Sequence, residues 1–321
     1  MRVTGRGRCH AQARGLESGI SHGADQTIVS AVTSRLAPYP VPDLTGRTAL
    51  VTGGSSGIGR AAARSLAAAG ATVVLTSRTR ERARDAASDT GGRPEVLDTS
   101  SFVSVDGLVE RWGTRPLDFL ILNAGIAAPP RRLDSADGHE LTLATNTVGH
   151  VRLAHGLRAA LRAASGRVVT VGSVAALAAD ASSHDLQLER RWSRGQAYAR
   201  SKLACIILAL ELPARAGIAA TPAHPGWATT PFFDPAGPLP VLAPLGRALR
   251  IGQDAADGSQ PLVAAALGTT FDRGTGYTGP RRGLAGVPAP APLPRAARDA
   301  AVRAAWWAGL CELAGVPQGW R

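Results

Sequence analysis

Thr52-Gly53-Gly54-Ser55-Ser56-Gly57-Ile58-Gly59 joins a short apolar run, Thr48 to Thr52, to a stretch of helical periodicity, Gly57 to Ala69. The run reads as a buried strand, and the periodic stretch as a helix stopped by Gly70. Gly53, Gly57 and Gly59 let the backbone turn tightly and come close to a bound group. The helix that follows offers unpaired N–H groups and the positive end of its dipole, which suits a pyrophosphate. Glycines also serve ordinary loops, but this turn stands between a strand and a helix. Gly53, Ser55, Ser56, Gly57, Ile58 and Gly59 are therefore expected to contact a dinucleotide cofactor.

Outward from this turn the chain alternates. Strands are expected at Ala71 to Ser77, around Glu95 to Leu97, at Leu117 to Leu122, at Arg167 to Val171 and at Ile218 to Ala223. Helices are expected from about Arg80, over Val103 to Trp112, over about Asp137 to Ala163, and over Gln196 to Ala214. Alternation of this kind specifies an α/β fold, a doubly wound parallel sheet covered on both faces. Two further helical stretches and a Gly-rich segment, Gly274 to Gly283, follow, with no internal repeat and no second-domain boundary. Residues 1–43, rich in Gly, Ser, Arg and Ala, read as a flexible extension ahead of a single domain, 44–321. Residues 1–40 are expected to be dispensable.

Hydrophobic residues make up 45% of the 321, enough for a sizeable core. No apolar run reaches the roughly 18 residues of a membrane span, and no signal-peptide pattern follows the basic start. Cys9, Cys205 and Cys311 are scattered without metal-ligand spacing, so no metal is expected and a reducing, cytoplasmic setting is the preferred reading. The net charge of +12 raises nucleic acid as a partner, but the basic residues are spread along the chain beside acids rather than gathered in a block. Of the 36 basic side chains only Lys202 is a lysine, which points to a place where an ammonium is needed and a guanidinium will not serve.

Two features bear on chemistry. An acid ending the second strand would hold the ribose hydroxyls of NAD, but Thr76-Ser77-Arg78-Thr79-Arg80 has none. Arg78 is instead placed to pair with the 2′-phosphate of NADP. Tyr198 and Lys202 form Y-x-x-x-K, so they share a helix face at the edge of the stripe Leu203, Ile206, Ile207, Leu210. An ammonium beside a phenol favours the phenolate and suits it to pass a proton to a carbonyl oxygen.

The Gly-rich turn, Asn123-Ala124-Gly125, Ser173 at a strand end, Tyr198-Ala-Arg-Ser-Lys202 and His224-Pro225-Gly226 occur in one order. Together they resemble the short-chain dehydrogenase/reductase family over Leu44 to the C-terminus. The resemblance implies a Rossmann-type domain and an oxidoreductase interconverting a ketone or aldehyde and its alcohol, which the missing acid and Arg78 make NADP(H)-dependent. It implies Tyr198 as the acid or base, with Lys202 stabilising its phenolate and holding the nicotinamide ribose. Ser173 would orient the carbonyl, and Asn146 would anchor a water on a path from the lysine to solvent. Asp98 would meet the adenine, Asn123, Ala124 and Gly125 would line the cofactor, and Pro225, Gly226 and Thr229 would border the nicotinamide.

Twenty-four residues lie between Ser173 and Tyr198, and the insert, which includes Asp185 to Trp192, is similar to that of the retinol-dehydrogenase-like branch; similar bacterial reductases also carry the Ser-Lys-Leu-Ala found here at Ser201 to Ala204. It is expected either to wall the substrate pocket or to obstruct helix pairing between subunits, which leaves monomer or homo-oligomer open. Trp192, Trp227, Phe232 and Phe233, with Pro231, Pro235 and Leu239, suggest an apolar and bulky small-molecule substrate, retinoid-like, steroid-like or polyketide. The alternatives are a non-catalytic NADP(H)-binding sensor, disfavoured by the intact Tyr/Lys pair, and a nucleic-acid binder, suggested by charge alone.

Overall fold

The computed structural model describes residues 36–228, 253–269 and 276–320. Its spine is one eight-stranded sheet in the order β3-β2-β1-β4-β5-β6-β7-β8. The strands are β1 (Thr48–Val51), β2 (Thr72–Ser77), β3 (Arg93–Val96), β4 (Phe119–Leu122), β5 (Arg167–Val171), β6 (Ala219–Ala223), β7 (Thr278–Pro280) and β8 (Pro288–Pro290). Neighbours pair in parallel except β7 and β8. The chain reverses its direction of travel across the sheet between β1 and β4, and ligands of such sheets bind outside the strand ends at that point.

One face is covered by α1 (Gly57–Ala68) and α7 (Ala255–Ala266), which meet β1 and β5 through Ala62, Leu66, Leu262 and Val263. The other carries α3 (Phe102–Trp112), α6 (Arg194–Ala216) and α9 (Ala300–Leu313), with Trp112, Ile206, Trp306 and Trp307 in the larger core. The expected stripe lies against this core at Leu203, Ile206 and Ile207, while Leu210 is only partly buried. The segment α2 (Arg80–Thr90) packs on β2 through Ala86 and Ala87.

Three expectations need correction. The helix expected from Asp137 begins at Leu141. The preceding residues make a turn instead, with Gly138 at φ +78° and an antiparallel bridge between Asp134 and Glu140. The Asp137 carboxylate caps α3 by accepting from the Phe102 N–H at 2.8 Å. This helix, α4, is also not uniform. It runs from Leu141–Leu143 through a π-helical turn, Ala144–Val148, into Gly149–Gly156, and breaks at Leu157 before α5 (Arg158–Ala163).

Second, β6 is not the last strand. β7 arises within the Gly-rich segment, and β8 closes the sheet edge with Pro288 and Pro290, residues tolerated at an edge because they have no N–H to donate inward. Third, residues 36–43, read as part of the extension, make specific contacts. The Leu36 N–H donates to the Asp257 carboxylate, Tyr39 Oη lies 2.7 Å from Thr269 Oγ1, and Tyr39 and Val41 pack on the α1/α7 core. A short helix, α8 (Arg295–Arg298), leads into α9.

Candidate active site

At the β1/β4 reversal, one cleft of about 330 Å³ gathers residues from eight stretches of the chain. Gly53, Ser55, Ser56, Gly57, Ile58, Gly59, Arg78, Asp98, Asn123, Ala124, Gly125, Ser173, Tyr198, Lys202, Pro225 and Gly226 all line it. Thr229 lies outside the described residues, as do Pro231, Phe232, Phe233, Pro235 and Leu239. Asn146 is buried one layer behind the cleft.

The turn after β1 is a cradle that side chains would fill. Gly53 has φ +63°, and a Cβ there would come within 2.9 Å of Ala124 Cα. A Cβ on Gly59 would collide with Asn123 Nδ2 and with the Gly53 carbonyl. Asn123 uses that space to donate to the carbonyls of Thr52 at 2.9 Å and Gly53 at 3.2 Å, tying the end of β4 to the turn. The longer helices α2, α3, α6, α7 and α9 begin with side-chain caps from Thr79, Ser101, Ser193, Asp254 and Asp299. Ser56, before α1, makes no such bond, so the first N–H groups of α1 are left for a ligand. This cradle fits a dinucleotide pyrophosphate.

Ser77 ends β2 beside it and Arg78 follows, with Ser55 Oγ donating to Ser77 Oγ at 3.2 Å. Arg82, in the first turn of α2, also lines the cleft. Both guanidinium groups are exposed, and neither enters a salt bridge among the described residues. Arg82 is not marked by the sequence, because it reaches the cleft from the first turn of α2 while Arg78 lies in the bend before that helix. Asp98 accepts from the N–H and hydroxyl of Ser100 at 2.9 and 2.7 Å through Oδ1.

At the other end, α6 presents Tyr198 and Lys202 to the cleft. The Lys202 ammonium is buried, lies 5.8 Å from the Tyr198 ring centroid, and donates to the Val171 carbonyl at 3.0 Å. Ser173 caps the short 3₁₀ turn Val174–Ala178 by accepting from the Ala175 N–H, so it serves the local backbone and lines the cleft together. Asn146 sits in the π-helical turn. Its Oδ1 accepts from the Ile126 N–H at 2.8 Å, and its Nδ2 donates to the Ile126 carbonyl and to Ser201 Oγ. At Gly125 a Cβ would lie 3.1 Å from Asn146 Oδ1 and 3.6 Å from Lys202 Nζ, so this glycine keeps the backbone close to both. Ile126, Leu141 and Thr145 also line the cleft; no local pattern marks them, because they arrive through the loop after β4 and the irregular start of α4.

A glycine cradle at a strand-order reversal, followed by a Tyr/Lys pair on one helix face, defines a dinucleotide-dependent oxidoreductase fold. The family model for the short chain dehydrogenase matches residues 47–237, and the chain belongs to that family, whose members use NAD or NADP. It is 43% identical over 198 residues to a "Probable oxidoreductase" of Streptomyces lividans, a match covering 59% of this chain and 66% of that one. It is 37% identical over 196 residues to "Retinol dehydrogenase 12" of Homo sapiens, covering 57% of this chain and 62% of that one. The matched stretch therefore spans less than two thirds of either relative. A solved structure of an uncharacterised protein from Mycobacterium paratuberculosis superposes with a TM-score of 0.71 at 30% identity, over 88% of this chain and 99% of that one.

Proposed function

We propose that the protein is an NADP(H)-dependent oxidoreductase that interconverts a ketone or aldehyde and its alcohol, acting on an apolar small molecule. The observation that carries this reading is the meeting, in one cleft, of the uncapped glycine cradle with the Tyr198/Lys202 pair. Gly53 to Gly59 would hold the pyrophosphate. Arg78 and Arg82 would face the 2′-phosphate, because two guanidinium groups without a salt bridge among the described residues, one after β2 and one in the first turn of α2, favour a dianion, and no carboxylate ends β2. Asp98 would meet the adenine, and Asn123, Ala124, Gly125, Pro225, Gly226 and Thr229 would lie along the rest of the cofactor.

The bound nicotinamide supplies or accepts the hydride; the chain's own residues handle the proton. The Tyr198 hydroxyl would donate to the carbonyl oxygen in reduction and take the proton back in oxidation. The Lys202 ammonium, fixed by the Val171 carbonyl, would stabilise the phenolate left behind. Ser173 would orient the carbonyl. Asn146 would hold the Ile126 backbone and anchor the water path that returns a proton towards Lys202. The apolar reading of the substrate rests on Ile126 and Leu141 in the cleft and on Trp192, which packs on the same apolar cluster as Tyr198.

Purified protein with NADPH and a panel of aldehydes and ketones of increasing apolar bulk tests this. Carbonyl-dependent loss of NADPH absorbance is expected, and it should vanish in Tyr198→Phe. NADPH binding without turnover on any member of the panel would favour the sensor reading instead.

A further inference from the structure

The helix that carries Tyr198 and Lys202 carries a second i, i+4 pair, Gln196 and Arg200. Two residues of helix turn the side chain through about 200°, so this second pair faces away from the cleft. It faces the insert between Ser173 and Tyr198. Gln196 Nε2 donates to the Ala178 carbonyl at 3.0 Å, and its Oε1 accepts from the Asp180 N–H at 2.8 Å. Arg200 reaches further. Its side chain is only 2% exposed, and it donates to the carbonyls of Asp180, Ser182 and Asp185 at 2.8, 2.7 and 2.8 Å.

A buried guanidinium is costly unless it is hydrogen-bonded. Here the compensation is almost wholly main-chain carbonyls of one loop. The Asp180 carboxylate is 3.8 Å away, and the guanidinium lies 5.0 Å from the Trp306 ring centroid. The Trp306 indole N–H donates to the Ala181 carbonyl at 2.9 Å, which closes the loop against α9 as well.

The far part of the insert turns back to the site. Leu188 is held at φ +54°, a conformation that favours glycine, and is nonetheless buried with Ala128 and Ala197, where Trp192 and Tyr198 pack against it. The Trp192 indole N–H donates to Glu140 Oε1 at 3.3 Å, and Gln187 Oε1 accepts from the Glu140 N–H at 3.0 Å. Glu140 Oε2 in turn caps the start of α4 by accepting from the Leu143 N–H, next to Leu141 of the cleft wall. The insert thus spans from the rear of α6 to the residues beside Tyr198.

We infer that Arg200 is a positioning residue that sets substrate selectivity. By binding three carbonyls of the insert it fixes the buried Leu188, and with it the half-buried Trp192 that packs on the same cluster as Tyr198, so that the Trp192 ring guides the non-reacting part of a long apolar carbonyl compound. This rests on the carbonyl chemistry proposed above. It assigns the selectivity to a side chain that never touches the substrate.

The test compares propanal and decanal, which share a reacting group and differ in apolar length, with NADPH and the full chain. Hydrogen–deuterium exchange of residues 180–192 is followed in parallel. The parent is expected to prefer decanal and to protect the insert. Arg200→Met should lower kcat/KM for decanal at least tenfold, mainly through KM, leave propanal within threefold, keep NADPH affinity, and raise exchange across 180–192. Arg200→Lys, which keeps the charge but reaches fewer carbonyls, should recover part of the decanal preference. Should Arg200→Met not fold, Trp306→Phe carries the same test. It removes the bond to Ala181 yet leaves a ring under the guanidinium, and the aldehyde ratio should fall at least threefold. Equal losses on both aldehydes, or unchanged exchange in the variants, would overturn the inference. A parent that reduces neither aldehyde nor any other carbonyl overturns the proposed function itself, whereas the exchange arm reads the tether without turnover.

Discussion

His150 Nε2 lies 3.0 Å from Thr52 Oγ1, while His150 Nδ1 lies 2.9 Å from the Asn146 carbonyl. A carbonyl only accepts, so Nδ1 carries the proton. Burial, opposed by that bond and aided by the Lys202 charge, lowers the His150 pKa to about 3, so the ring is neutral and Nε2 accepts from the Thr52 hydroxyl. Thr52 Oγ1 accepts in turn from the Ala124 N–H at 2.9 Å. One imidazole therefore links the cofactor turn, the end of β4 and the π-helical turn that holds Asn146.

Acid should loosen this protein well above the carboxylate range. Burial also lowers His224, to about 4. Both groups take up a proton in the unfolded chain near 6.5 but not in the folded one until pH 3 to 4. Between those limits the unfolded state binds more protons, so stability is full above 6.5 and falls as pH falls. Linkage gives a loss of about 2 kcal/mol for each ring by pH 5. Thermal melts at pH 7.5 and 5 should show a lower Tm at pH 5, reduced in His224→Gln. Identical melts at both values would contradict the buried neutral state.

Lys202→Arg should be severely impaired although the charge is kept. The ammonium sits in a buried site, 3.0 Å from the Val171 carbonyl and close to Gly125. A planar guanidinium is larger and spreads its donors in a fixed fork. A loss of about 10² to 10⁴ in kcat is expected, the range ascribed to acid–base assistance. Near-parental turnover would remove the argument drawn from the single lysine while leaving the family membership untouched.

Cofactor choice should follow two arginines rather than one. NADPH is expected to bind at least tenfold more tightly than NADH, about 1.4 kcal/mol. Arg78→Ala and Arg82→Ala should each weaken NADPH, and the double variant should bring the two cofactors close to parity with NADH affinity unchanged. Fluorescence titration of the four proteins decides it; equal affinities in the parent would sink the assignment.

Gly59→Ala should damage binding more than folding. The added Cβ would collide with Asn123 Nδ2 and the Gly53 carbonyl, forcing apart the bonds that tie β4 to the turn. NADPH affinity should fall at least tenfold, with a modest fall in Tm. Unaltered affinity would show that the cradle is not the pyrophosphate seat.

The N-terminal boundary should fall before Leu36 rather than after Pro40. A chain starting at Ser34, which keeps Leu36 and Tyr39, should melt like the full-length protein. One starting at Val41 loses the Leu36 and Tyr39 hydrogen bonds, together worth about 1 to 3 kcal/mol, and the packing of the Tyr39 ring. Its Tm should be several degrees lower. Equal melts for both chains would mean that these contacts contribute nothing.

The alternating order of strands and helices, the glycine turn and the Tyr198/Lys202 face were legible in the sequence because each depends on near neighbours. Glycine spacing sets a turn, a period of 3.6 sets a helix face, and both act within a few residues. The start of α4 was misplaced because Asp137 and Glu140 are spent as caps on Phe102 and Leu143, a choice that helical propensity does not encode. The strands β7 and β8 are not legible in the sequence because three-residue segments with proline carry almost no periodic signal. Only the tertiary structure could show that Asn146 holds Ile126, that His150 reaches Thr52, and that Arg200 grips a loop fifteen to twenty residues away in the chain. These partners are distant in sequence, and burial makes their hydrogen bonds obligatory once the sheet and helices have brought them together.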